Sequence, residues 1–243
     1  MLVYPFREAG AVLRRCADVA ASAPAELTMQ LAVVAAPDGA PVLLIVPTWC
    51  GPLEEGEARL APFLRLGTLL AGTVDAVSYG VSLTAFDSYL VAGQRVLMET
   101  CWLPALDDRG IDACIGAMEI AASAGCAIIT HEFKGAAARV PVEATAFGLR
   151  QEHVLVEILA TFVDAADALE EERHRRWTRS ALQAFDAIAL PGGYPNLLVG
   201  GDAERVTRSY GPNARRLAGA KQRYDPAGVF SSAIPLPAGC PQR

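Results

Sequence analysis

The sequence has no long apolar run, no basic stripe and no paired cysteines, and only three of its 243 residues are histidine. Each absence removes a class of function. A membrane helix needs roughly 20 consecutive apolar residues, and the richest run here, residues 41–49, is strand-length and bounded by turn residues. The formal net charge is −6, with no aromatic–basic interleaving and no zinc-finger spacing, which argues against nucleic acid as a partner. The six cysteines lie scattered, without a C-x-x-C pair or a histidine at ligand spacing. No metal site is expected, and the cysteines read as buried, reduced thiols of a cytoplasmic protein. The opening M-L-V-Y-P-F-R-E lacks the charged and apolar regions of a signal peptide. No internal repeat or low-complexity linker is present.

What the chain does have is apolar surface. Hydrophobic residues make up 52% and mean hydropathy is +0.27, against 20% charged residues. Such a surplus implies a large core, or a face meant to be covered by something else. The periodicities assign most of the chain. Apolar residues at i, i+3, i+4 and i+7 predict a helix over residues 7–23, ended by Pro24. Leu27, Met29, Leu31 and Val33 alternate, Pro37-Asp38-Gly39 signals a turn, and residues 42–49 form the returning strand of a hairpin. Residues 53–66 read as a short helix closed by Gly67. Residues 68–93 carry little periodicity.

Residues 95–103 alternate as a strand, and Asp107 or Asp108 can cap the helix that follows, which Gly125 ends. Residues 127–133 form another strand. The clearest strand is 153–163, predicted to lie inside the sheet because both its faces are largely apolar. It is read as running straight into a helix over 164–185, where Glu170, Glu171 and Glu172 precede His174, Arg175 and Arg176 by four residues. Those pairs mark a solvated face. Asp202 is placed as the cap of a further turn or two. Adjacent strands separated by helices predict an α+β fold: an antiparallel β-sheet with helices packed on one face.

Residues 210–230 read Y-G-P-N-A-R-R-L-A-G-A-K-Q-R-Y-D-P-A-G-V-F. Gly211-Pro212 suits the opening of a helix, and Asp225-Pro226 its end. Beyond that physics, Tyr210-Gly211, Asn213, Arg216-Leu217, Lys221, Tyr224-Asp225-Pro226 and Phe230 resemble the C-terminal signature of the berberine-bridge-enzyme-like FAD-linked oxidases. Gly193-Tyr194-Pro195-Asn196 resembles that family's Y-x-N element, in the expected order. Gly228 departs from the asparagine the family commonly places there. The resemblance covers most of the chain but only the family's C-terminal half. It implies residues 1–190 as a substrate-binding sheet-and-helix region and residues 191–243 as the family's C-terminal segment in the same unit. The cofactor implied is FAD, held mainly by an FAD-binding domain or polypeptide that nothing here resembles. The last helix would return toward that absent part.

A flavin oxidase moves a hydride from substrate carbon to the flavin and needs a base for the accompanying proton. The family often carries a tyrosine after Y-x-N and a carboxylate on the strand matching 153–163; those positions here are Leu197 and Leu155. Glu157 lies two residues beyond Leu155 and on the same strand face. It is either an edge residue facing water or a cavity-facing carboxylate usable as the base. By resemblance Tyr194 and Asn196 stand beside the flavin, with Tyr194 the second catalytic candidate; the plainer reading is a Pro/Gly turn with Asn196 bonding its own backbone. His131 is read as a substrate-binding residue or a satisfied core histidine. Arg150 either orients an anionic substrate or pairs with Glu152. The partners implied are a small-molecule substrate, the FAD-binding part and, through the cut face, a second copy as homo-oligomer. Two functions follow: the substrate-binding part of an FAD-linked oxidoreductase, or a folded, inactive orphan domain or binding module.

Overall fold

Alternating apolar runs build a sheet of seven strands, all paired antiparallel, in the order β4-β1-β3-β2-β6-β7-β5. The strands are β1 (Leu2–Pro5), β2 (Leu27–Ala35), β3 (Pro41–Trp49), β4 (Ala71–Gly72), β5 (Gln94–Leu103), β6 (Cys126–Phe133) and β7 (His153–Val163). The computed structural model describes residues 1–87, 92–163, 168–198, 203–231 and 236. The sheet is α+β in the expected sense, and the 27–49 hairpin closes over Pro37-Asp38-Gly39, with Gly39 at φ +85°. β7 lies between β6 and β5, so its interior position is as read from its apolar faces.

Three helices cover one face: α1 (Ala9–Ala21), α4 (Asp108–Glu119) and α5 (Ala168–Gln183). Shorter ones are α2 (Leu53–Leu60) and α3 (Tyr79–Leu83), followed after α5 by α6 (Ala203–Tyr210) and α7 (Ala214–Tyr224). The core lies between the three helices and the sheet. Val12, Leu13 and Cys16 of α1, Ile111 and Cys114 of α4, and Trp177 and Ala181 of α5 meet Val156, Ile158 and Ala160 of β7 and Leu31 and Val33 of β2. Ile158 is fully buried; burying such a side chain contributes about 1.5–3 kcal/mol, and truncating it to alanine costs about 2–5 kcal/mol. Trp177 Nε1 donates to the Ala117 carbonyl at 2.9 Å, tying α5 to α4.

The local signals hold in most places and shift in a few. Asp107 is the cap chosen, its Oδ1 accepting from the Gly110 amide at 3.0 Å. The helix it starts ends at Glu119, before Gly125. Gly125 serves instead in a close approach, since a Cβ there would lie 1.9 Å from the Thr161 carbonyl oxygen. The 53–66 helix divides into α2 and a 3-10 turn over Ala61–Arg65 around Pro62. Residues 164–167, the cap at Asp202 and most of residues 231–243 lie outside the described residues.

His174 is a correction: it is fully buried, not part of a solvated face. Its Nδ1 bonds the Glu170 carbonyl and its Nε2 bonds Ser123 Oγ, both at 2.8 Å, while the ring stacks on Phe162 at 4.8 Å. Satisfying both nitrogens is what allows burial. A second correction concerns β7. Val154, Val156, Ile158, Ala160 and Phe162 are buried against the helices, but Leu155, Glu157, Leu159 and Thr161 on the other face are only partly covered. α1, α4 and α5 pack on one side, and the second face is left half open.

Candidate active site

The partly covered face is where the candidate residues meet. Pairing directly across an antiparallel sheet puts partners on one face, so the register sets Leu155 between His131 and Trp102, and Glu157 between Ile129 and Thr100. His131 and Glu157 therefore sit diagonally on β6 and β7, with Nε2 3.3 Å from Oε1. Glu157 is neither an edge residue nor fully solvated: its side chain is 15% exposed, against 39% for His131. A carboxylate so placed needs a partner, and His131 is that partner.

Over the β5–β7–β6 end of this face lies a cavity of about 500 Å³, lined by Trp102, His131, Phe133, Phe147, Arg150, His153, Leu155, Tyr194, Asn196 and Tyr210, among others. Its size suits a small organic molecule. The walls are aromatic. Phe133 stacks on His153 at 4.6 Å, Trp102 meets His153 edge-on at 5.6 Å, and Phe147 meets Tyr194 edge-on at 6.3 Å. Glu157 is not itself a lining residue; it reaches the cavity through His131.

Residues 134–152 fold back over this end of the sheet, and the C-terminal segment holds them. Asn213, buried, donates Nδ2 to the carbonyls of Val142 and Thr145 at 2.9 and 3.1 Å. Arg216 donates to the Glu143 carbonyl at 2.6 Å. Gly148 packs so closely under Tyr210 that a Cβ would lie 2.3 Å from the Tyr210 carbonyl oxygen, and Gly211 beside it takes φ +52°. The signature residues are thus a clamp on the cavity's cover. Farther along, Lys221 bonds Asp225 and the Phe230 carbonyl, and Asp225 accepts from the amides of Val229 and Phe230 at 2.7 and 3.0 Å. Gly228 stands there at φ +65°, a conformation glycine and asparagine both tolerate.

Tyr194 is positioned from the other side. Leu190 donates to the Trp102 carbonyl at 2.7 Å, adding a bridge to the edge of β5. Gly192 takes φ +92° against α6, and the Gly193 amide donates to Ser209 Oγ at 2.9 Å. Tyr194 and Asn196 then reach the rim, where Asn196 Nδ2 donates to the Tyr194 hydroxyl at 3.0 Å. The plain turn reading of Asn196, bonding its own backbone, is replaced by this side-chain contact.

Arg150 does not pair with Glu152. It donates to the Ala137 carbonyl at 3.1 Å and to Thr145 Oγ1 at 2.5 Å, and its guanidinium lies 5.1 Å from the Phe147 ring centre. Glu152 instead accepts from the Gly135 amide at 3.4 Å.

Sequence reasoning passed over Trp102, Phe133, Phe147 and His153. His153 is the most consequential. Burial lowers its pKa below the ordinary histidine value, against the opposing pull of its 2.8 Å bond to the Gln151 carbonyl. A carbonyl only accepts, so Nδ1 carries the proton; the neutral ring then has Nε2 as an acceptor. Nothing in local spacing joins these four aromatics, whose contacts span strands and the 134–152 segment. Among the described residues no cluster of histidine, cysteine or carboxylate side chains could hold a metal ion, and no helix is long and apolar enough to cross a membrane.

Residues 185–237 match the family model "Berberine and berberine like". A curated relative, the FAD-linked oxidoreductase iacH of Pestalotiopsis fici, is 26% identical over 207 residues, which are 77% of this chain and 38% of that protein. In fold the chain is similar to BBE-like 28 from Arabidopsis thaliana, with a TM-score of 0.81 at 15% identity, covering 97% of this chain and 56% of that one. Berberine bridge enzyme from Eschscholzia californica gives 0.77 at 16% identity, covering 99% and 54%. The 6-hydroxy-D-nicotine oxidase of Arthrobacter nicotinovorans gives 0.70 at 21% identity, covering 93% and 51%. The chain thus spans about half the length of these structures and less of the curated relative. It shares its fold with about half of a berberine-bridge-enzyme-like protein and carries a berberine-like segment at residues 185–237.

Proposed function

We propose that this chain is the substrate-binding part of an FAD-linked oxidoreductase that takes a hydride and a proton from a small organic substrate held in the open-face cavity. One observation carries the reading: His131 and Glu157 stand 3.3 Å apart on the sheet face the helices leave uncovered, and His131 lines an aromatic-walled cavity there.

Tyr194 and Asn196 fit one edge of the flavin ring of FAD, and residues 135–138 offer no cradle for its phosphates. Asn196 keeps amide hydrogen-bonding capacity beyond its bond to the Tyr194 hydroxyl, and both residues stand at the cavity's rim. The stretch after β6, Gly135-Ala136-Ala137-Ala138, leads into turns, whereas phosphate binding uses a glycine loop opening a helix. When bound, the flavin supplies a hydride acceptor. A proton leaving a substrate hydroxyl passes to the imidazole of His131, and Glu157 behind it stabilises the imidazolium. Tyr194 is the second group able to take or relay that proton. The aromatic walls exclude water and align a planar substrate.

The FAD-binding part is supplied by another stretch of polypeptide, which would cover the apolar surface near the end of α7. Tyr224, Val229 and Phe230 are 75%, 74% and 75% exposed there, more apolar exposure than one place on a self-sufficient surface usually carries. Leu155 and Leu197, standing where the resembled family often places bases, favour a second reading: a folded domain without catalytic chemistry.

Co-expression with the FAD-binding part of a related oxidase separates the readings. The first requires a yellow, soluble complex whose flavin is bleached anaerobically by at least one member of a panel of small aryl alcohols. A stable yellow complex that no panel member reduces supports the inactive domain. Recovering this chain alone with stoichiometric flavin overturns the proposal that the FAD-binding part lies elsewhere.

A further inference from the structure

Arg150 is held in place by the protein but not neutralised by it. A guanidinium has five N–H donors. One from each terminal nitrogen goes to the Ala137 carbonyl and to Thr145 Oγ1. Nε is buried with no hydrogen-bond partner. One N–H on each terminal nitrogen therefore remains, enough to give a carboxylate two charge-assisted bonds. No carboxylate pairs with Arg150 among the described residues, and Glu152 is turned to the Gly135 amide.

No other described residue lining the cavity pairs with that charge. Glu132, which also lines it, is engaged by Lys134 at 3.4 Å and by the Met29 amide at 2.9 Å. Burial keeps His153 neutral at ordinary pH. Glu157 is 3.3 Å from His131. Among the described residues lining the cavity Arg150 is thus the one lysine or arginine, and it has no carboxylate partner; its side chain is stacked on Phe147 and fixed by two bonds. Holding a donor in advance reduces what ligand binding must spend on ordering it.

We infer that the substrate of this cavity is a planar or aromatic monoanion whose carboxylate is bound by the two free terminal N–H groups of Arg150. The inference rests on reading the cavity as a substrate site. A single unmatched cation suits a monoanion, whereas a phosphate dianion would carry a surplus charge and an amine would be repelled.

The test uses the full chain and three matched probes, 3-phenylpropionate, 3-phenylpropan-1-ol and 3-phenylpropylamine, titrated by ligand-observed NMR. The acid is expected to bind at least about tenfold tighter than the alcohol, as charge-assisted hydrogen bonds imply, and the amine weakest. Arg150→Gln should bring acid and alcohol to within about twofold of each other. Arg150→Lys, which keeps the charge and loses the fork, should retain part of the preference. Equal binding of acid and alcohol to the wild-type chain overturns the inference and leaves the cavity standing as a substrate site. Failure of all three probes to bind removes the cavity reading and this inference with it. A preference for acid that survives in Arg150→Gln assigns the anion to another group and overturns it as well.

Discussion

Asn213 donates its side-chain amide to the carbonyl oxygen of Thr145 at 3.1 Å, and the Thr145 hydroxyl in turn receives Arg150 at 2.5 Å. A residue of the C-terminal signature is thereby joined in two steps to the wall of the cavity. Conversion to alanine at 213 strips two carbonyls, those of Val142 and Thr145, of a buried donor. The expected cost is about 1–3 kcal/mol. Hydrogen exchange should quicken over residues 142–150 and stay unchanged in β7. Equal quickening in both would mean that Asn213 supports the whole fold and not the cover.

β7 is expected to be the slowest-exchanging strand. It is paired on both edges, and its helix-side residues from Val154 to Ala160 are buried. Residues 68–87 contain only the two-residue β4 and the five-residue α3, with Val77, Tyr79, Val81 and Leu83 exposed. Local opening follows such differences in burial and pairing. Comparable exchange rates for the two stretches would contradict the placement of β7 inside the sheet.

Much of this was legible in the residues, and the reasons differ by feature. The 27–49 hairpin, the capped helix after Asp107 and the interior β7 follow from alternation, turn chemistry and capping, which act over a few residues. The berberine-like segment was legible as a pattern, but its task was not. That Asn213 and Arg216 grip the carbonyls of residues 142–145 depends on contacts about seventy positions apart in sequence. His174 was misread because its charged neighbours gave the helix a polar look; one face of that polar run carries Trp177, Thr178 and Ala181 into the core. His131 and Glu157 were each picked out singly. Their meeting needed the β6–β7 register, and the aromatic walls needed the fold of residues 134–152.

The described cysteines should divide sharply in reactivity. Burial pushes the thiols of Cys16, Cys101 and Cys114 up to about 12, and that of Cys126 upward too, while Cys50 is exposed. The thiolate is the reactive form. In a Cys240→Ser background at neutral pH, iodoacetamide should label Cys50 alone until the chain is unfolded. Rapid labelling of Cys16 or Cys101 in the folded chain would show that the core between α1, α4 and the sheet opens readily.

His153 should make the cavity end acid-sensitive. Burial lowers its folded pKa below the ordinary histidine value of 6.5. Below that value the unfolded chain takes up a proton that the folded chain resists, so its contribution is present above about pH 6.5 and is lost as pH falls through the folded pKa. His153→Phe, which keeps a ring against Phe133 and Trp102, should flatten the melting temperature between pH 7 and about pH 5.5 relative to the parent chain. An unchanged pH slope would place the sensitive group elsewhere.

The central claim is that His131 and Glu157 act together on the substrate's proton, and the most direct measurement is a double-mutant cycle on flavin reduction in the reconstituted complex. Each of His131→Gln and Glu157→Gln should slow anaerobic reduction by roughly 10²–10⁴-fold, the range of a general base, with little change in melting temperature. The double variant should be scarcely slower than the worse single one, because residues acting as a unit are not additive. Reduction at the parental rate in Glu157→Gln, or two single effects that simply multiply, would contradict the account.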